Sequence, residues 1–206
     1  MPIGVGIQDP THILQFAEQV EQAVSPASYA KFLARQAASR RKTGVDLNTF
    51  ANLLTGNLII ASDTHTTLGR VQVTNPSQAS ADLAKLARNP RAVFKKAVSS
   101  TPLPGGFYAI HEPGTTLTAG VVGNQLVVGK ASVAQLRGFA AAPTTPAPGA
   151  QGSVAFRVAL VELLRLALKN STPQAVQSIL NSLGDITGWL SSNPSGVTGS
   201  ATLAVQ

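Results

Sequence analysis

At five places in this chain a residue that can cap a helix is followed at once by proline and then by helically spaced apolar residues: Asp9-Pro10, Ser25-Pro26, Asn75-Pro76, Asn89-Pro90 and Thr172-Pro173. The cap side chain accepts one of the orphan N–H groups of a helix start, and proline at the first helical position gives up a donor that has no intrahelical acceptor. Each pair opens a stretch with helical apolar spacing. Ile13, Ala17, Val20 and Val24 follow Pro10; Tyr29, Phe32, Leu33 and Ala37 follow Pro26. Ala79, Leu83 and Leu86 follow Pro76, and Val93, Phe94 and Ala97 follow Pro90. Val176, Ile179, Leu180, Leu183, Ile186 and Leu190 follow Pro173. Helices apolar on one side need a surface to cover.

β-rich runs between them supply it. Leu58 to Ser62 and Leu68 to Val73 flank Asp63-Thr64-His65-Thr66, and Phe107 to His111 and Thr116 to Val122 flank Glu112-Pro113-Gly114. Gly123-Asn124 then turns the chain into Leu126-Val127-Val128, a hairpin signal. Val154 to Val158 and Ala201 to Val205 are further strand candidates. Residues 57–68 (NLIIASDTHTTL) and 107–117 (FYAIHEPGTTL) form a weak internal duplication: strand, polar turn with His and an acid, Thr-Thr-Leu, strand. Short turns imply antiparallel pairing. The expected fold is α+β: an antiparallel β-sheet built from hairpin-plus-helix units, closed by a strand–helix–helix–strand unit, with helices mainly covering one face. Residues 1–206 are expected to form a single domain, the Pro-rich stretch Ala140 to Gly152 being a surface loop within it.

Charged residues make up 12% of the chain, about half of the usual share, against 44% apolar. No apolar run reaches the roughly 20 residues needed to span a bilayer as a helix, and the start, Met1 to Ile7, lacks the basic residues and apolar core of a signal peptide. Cysteine is absent, which excludes disulfides, thiolate metal sites and Cys nucleophiles.

Further motifs run in a characteristic order. Gly44-Val45-Asp46-Leu47 and Leu54-Thr55-Gly56-Asn57 precede the first strand pair and Asn75-Pro76; Gly106-Phe107-Tyr108-Ala109, Val121 to Val128, Ala142-Pro143 and Leu183-Gly184-Asp185-Ile186-Thr187-Gly188-Trp189 follow. In this order they resemble a bacterial domain-of-unknown-function family of secreted or membrane-anchored envelope proteins, from about Asp9 onward. The resemblance implies an extracytoplasmic setting. It also implies that the chain corresponds to the C-terminal half of longer relatives, which carry a membrane anchor and a related half upstream. It brings no catalytic residues with it.

Two constellations carry chemistry. Asp63-Thr64-His65 and His111-Glu112 pair imidazoles with carboxylates, a donor set that suits zinc, although polar turns carry these residues for their own reasons. His12 falls in the first turn of a helix and is expected to be exposed. There is no Gly-x-Ser-x-Gly elbow and no phosphate-binding glycine loop, and we expect neither enzyme activity, nor a cofactor, nor a resident metal.

The second constellation is basic. The net charge is +7, and ten of the sixteen Lys and Arg residues fall in two clusters: Lys31, Arg35, Arg40, Arg41 and Lys42, then Lys85, Arg88, Arg91, Lys95 and Lys96. Cations near helix C-termini complement the macrodipole, which accounts for part of the clustering. The rest points to anionic partners: anionic lipid or an acidic polymer in preference to nucleic acid, since aromatics are 5% and no RNP-like or zinc-finger motif is present. The expected role is a non-enzymatic envelope scaffold or interaction domain, with Lys31, Arg35, Arg40, Arg41, Lys85, Arg88, Arg91 and Lys95 as its anion-binding residues. The alternatives are a carrier or sensor holding an apolar or anionic ligand in a helix–sheet groove, and a domain contacting a protein partner.

Overall fold

The computed structural model describes residues 3–8, 22, 24–63, 65–92, 98–143, 154–162, 182–193 and 196–205. The helices expected after Asp9-Pro10 and Thr172-Pro173, the residues Val93, Phe94 and Ala97, and most of the 140–152 segment lie outside these residues. The chain divides into two compact units. One comprises Met1–Gln8, Ile59–Thr67 and Pro143–Gln206; the other comprises Asp9–Leu58 and Leu68–Ala142.

In the second unit, helix α1 (Pro26–Thr43) starts at the Ser25-Pro26 pair and stops at Gly44, whose φ of 72° is a left-handed conformation open to glycine. Asp46 then caps α2 (Leu47–Ala51) by accepting from the N–H groups of Asn48 and Thr49. The chain next runs through β2 (Leu54–Ser62) and β3 (Thr67–Val73), whose residues are divided between the units. Asn75 caps α3 (Pro76–Arg88), its side chain accepting from Gln78 N. A 3-10 turn at Pro90–Ala92 follows. After it come β4 (Ser99–Leu103), β5 (Phe107–Glu112), β6 (Thr115–Val122), β7 (Gln125–Gly129) and α4 (Val133–Ala141), which opens with a Ser132–Gln135 capping box.

The strands of this unit lie in the order β3-β7-β6-β5-β4, each pair antiparallel. Side chains alternate between faces along a strand, and the core divides accordingly. Leu83 of α3 packs with Val98, Ile110 and Ala119, and Leu126 adds to this face. Leu136 of α4 packs with Leu68, Phe107 and Val127 on the other. Leu126 and Val127 are neighbours in sequence and serve opposite helices. Because α1 packs against α3 and the 3-10 turn, most of the helical structure among the described residues of this unit lies on the α3 side, and α4 covers the other. The unit thus has the expected build: an antiparallel sheet from hairpin-plus-helix units, with helices mainly on one face.

In the first unit, β1 (Ile3–Gln8), β8 (Val154–Val158), β9 (Leu183–Asn193) and β10 (Gly196–Val205) lie in the order β10-β9-β8-β1, again antiparallel. The expectation of a helix running through Leu183, Ile186 and Leu190 is corrected here. Those apolar residues do fit a helical period, but Ile186 itself and the intervening Thr187 and Trp189 are β-formers, and Gly184 and Gly188 weaken a helix. With β8 pairing Ile186 to Leu190 on one side and β10 pairing Leu183 and Ile186 to Asn193 on the other, the segment is strand β9.

Candidate anion-binding site

Both described basic clusters belong to the second unit. On α1, Lys31, Arg35 and Lys42 stand at i, i+4 and i+11, which at about 100° per residue puts them within about 40° of one another. They form a cationic stripe about 16 Å long, from a rise of about 1.5 Å per residue. Ser39 and Thr43 beside the stripe are buried, while Lys31, Arg35, Arg41 and Lys42 are exposed. The apolar residues expected to anchor α1 do so unevenly: the Tyr29 and Phe32 rings stack at 6.3 Å, but Leu33 is largely exposed.

The stripe ends at a cleft of about 590 Å³. Lys42 from the end of α1, Arg88 from the end of α3 and Arg91 from the 3-10 turn line it, with Ser99 and Ser100 of β4 and the Tyr108 ring of β5. Among the described residues no Asp or Glu lines it. The Ser100 hydroxyl donates to the Ala87 carbonyl, which ties β4 to the end of α3.

Two expected site residues do not face a ligand. Arg40, on the opposite side of α1 from the stripe, forms an ion pair with Asp46 at 3.1 Å. Lys85 forms one with Asp82 at 3.0 Å, and Asp82 also accepts from Gln78 Nε2 at 2.7 Å. Lys95 and Lys96 lie outside the described residues. Lys42 joins Arg88 and Arg91 only because α1 packs beside α3, a tertiary fact that cluster-counting does not supply.

The His and carboxylate constellation serves its turns and strands. Asp63 Oδ1 accepts from His65 N at 2.8 Å and from Thr66 N at 2.6 Å. Those two bonds hold its carboxyl below the usual carboxylate range. His111 places Nε2 3.1 Å from the Thr101 hydroxyl and Nδ1 3.1 Å from that of Thr116, bridging β4, β5 and β6. Among the described residues no three His, Cys, Asp or Glu side chains are grouped as a metal would need.

The fold is α+β, an antiparallel sheet covered by helices. Two crystal forms of the protein TP0453 share it. Crystal form III matches with a TM-score of 0.52 at 10% identity over 98% of this chain and 75% of that one. Crystal form IV matches with a TM-score of 0.50 at 12% identity over 98% and 76%. At such identity the likeness is one of fold. No known family profile matches the chain, and no curated protein does.

Proposed function

We propose that the chain is an interaction module of the cell envelope that binds an extended polyanion, an acidic polymer above all, along α1 and into the cleft. The envelope setting follows the family resemblance. The observation that carries the binding reading is the convergence of Lys31, Arg35 and Lys42 in one stripe that ends beside Arg88 and Arg91, with no carboxylate among the described residues that line the cleft. Interspersed charge is the usual state of a protein surface, and one-signed stripes suit steering and anion capture. A binding role also accords with the chemical constellation: Asp63 is engaged by its own turn and both ring nitrogens of His111 by threonines.

Co-sedimentation with an acidic cell-wall polymer, with anionic vesicles and with neutral vesicles tests the reading at low and physiological salt. Polymer binding that weakens steeply with salt, and that Lys31→Glu with Arg35→Glu abolishes, is the expected result. Retention by neutral vesicles, indifferent to salt and to both substitutions, would replace it with the reading of a carrier for an apolar ligand.

A further inference from the structure

We infer that the cleft between the ends of α1 and α3 and strand β4 is a discrete site for one doubly charged oxyanion of the phosphate-monoester class. The inference rests on the anionic reading above and narrows it to a single group held at a single place.

Three positive side chains from three separate elements line the same cleft: Lys42, Arg88 and Arg91. Gathering like charges is unfavourable unless a counter-charge is present. The nearby carboxylates that might have supplied it are engaged elsewhere, Asp46 with Arg40 and Asp82 with Lys85. The helix macrodipole explains a cation at the end of α3. It explains Lys42 at the end of α1 in the same way, but not Arg91, which lies beyond α3, nor why both helix ends line one cleft. The cleft, at about 590 Å³, falls in the size range of small-molecule sites, roughly 300–1,000 Å³.

The donor set indicates the class. A guanidinium offers a planar fork that matches two oxygens of a phosphate or carboxylate, while an ammonium acts as a point charge with movable donors. Two forks and one ammonium exceed what one carboxylate, with two oxygens and one charge, can use. A dianionic phosphate monoester presents three terminal oxygens and nearly two charges at neutral pH. The Ser99 hydroxyl adds a neutral donor at the rim. Such a group comes from a soluble phosphate ester or from the headgroup of a monoester lipid, and the chemistry recognised is the same.

Isothermal titration of the full chain with inorganic phosphate, glycerol phosphate and acetate tests this. Flotation with vesicles carrying phosphatidic acid or phosphatidylglycerol, a monoester and a diester, separates the two sources. Phosphate and glycerol phosphate should bind at least tenfold more tightly than acetate, and more tightly as pH rises through about 6, where the monoester gains its second charge. Arg88→Ala and Arg91→Ala should each weaken this at least tenfold, and Lys130→Ala should leave it within twofold. Both arginines are exposed, so the variants should melt with the parent protein. Phosphatidic acid vesicles that bind more tightly than phosphatidylglycerol ones, through the same two arginines, assign the lipid source; equal flotation beside tight glycerol phosphate binding assigns the soluble one. The inference is overturned if phosphate binds no better than acetate, or if the arginine variants bind it unchanged. Salt-sensitive polymer binding that survives such a result would leave the polyanion reading standing without the discrete site.

Discussion

Arg70 shows what this chain does with a cation it does not keep on its surface. It is 4% exposed, lies over the Phe139 ring at 5.0 Å, and donates to the carbonyls of Phe139, Ala140 and Ala142 at the end of α4. One side chain thus satisfies several carbonyls that a helix end leaves unpaired. Arg70→Met should cost about 2–4 kcal/mol in urea denaturation, from the lost bonds to a charged donor and the acceptors left without it. Arg70→Lys should recover only part, because an ammonium does not stack on the Phe139 ring as the planar guanidinium does; full recovery would mean that charge alone matters. Nearby, Phe107 presses on Gly120, where an added Cβ would stand 2.4–2.7 Å from three ring carbons. Gly120→Ala should therefore destabilise by about 1–3 kcal/mol, as overpacking does, and an unchanged melting temperature would disprove that packing. Asp63 gives the pH effect. Its folded carboxyl titrates below the ordinary value, so its contribution is complete above the unfolded pKa of about 4. It is lost as pH falls through the lower folded one. Protection of the His65 and Thr66 amides, measured against their intrinsic exchange rate at each pH, should fall in that acid window in the parent and be absent at every pH in Asp63→Ala. Protection of both amides in Asp63→Ala at neutral pH would show that the carboxylate does not hold the turn.

At the scale of elements, α3 and α4 take opposite faces of one sheet and share no core residue: Leu83 serves one cluster and Leu136 the other. Leu83→Val and Leu136→Val should each destabilise, and the double variant should equal their sum within about 0.5 kcal/mol, as independent sites do. A coupling beyond 1 kcal/mol would show that the two faces communicate. The hairpins were legible in the sequence because strong β-formers flank short polar turns. Strand β4 was not, since Ser99-Ser100-Thr101-Pro102-Leu103 carries no apolar alternation and becomes a strand by pairing with β5. In β9 the spacing of Leu183, Ile186 and Leu190 fits a helix as well as a strand, and the choice falls to the partners β8 and β10. The site was half legible. The clusters stand out, and the Asp82–Lys85 pair could be read from its i,i+3 spacing. The Arg40–Asp46 pair and the approach of Lys42 to Arg88 depend on how helices end and pack.

At the scale of the whole molecule, the two units differ in charge. Met1–Gln8, Ile59–Thr67 and Pro143–Gln206 hold three Lys and Arg against three Asp and Glu. Asp9–Leu58 and Leu68–Ala142 hold thirteen against six, so the net charge of +7 belongs to one unit. The chain passes between the units four times, and no single cut releases either whole. We therefore expect one calorimetric transition with matching van't Hoff enthalpy; two resolved transitions would show independent domains. If the stripe of α1 and the cleft at its end carry the proposed binding, the salt dependence of affinity for an acidic polymer should show it. Binding through several cations releases counterions, so log K should fall linearly with log salt, and each lost contact should flatten the slope by up to about one. The account predicts that Lys31→Ala, Arg35→Ala and Lys42→Ala together flatten it by two to three, up to about one per contact, while Arg40→Ala with Lys85→Ala, both already paired, barely move it. Equal flattening by the two sets would contradict the account, because binding would then follow net charge and not this site.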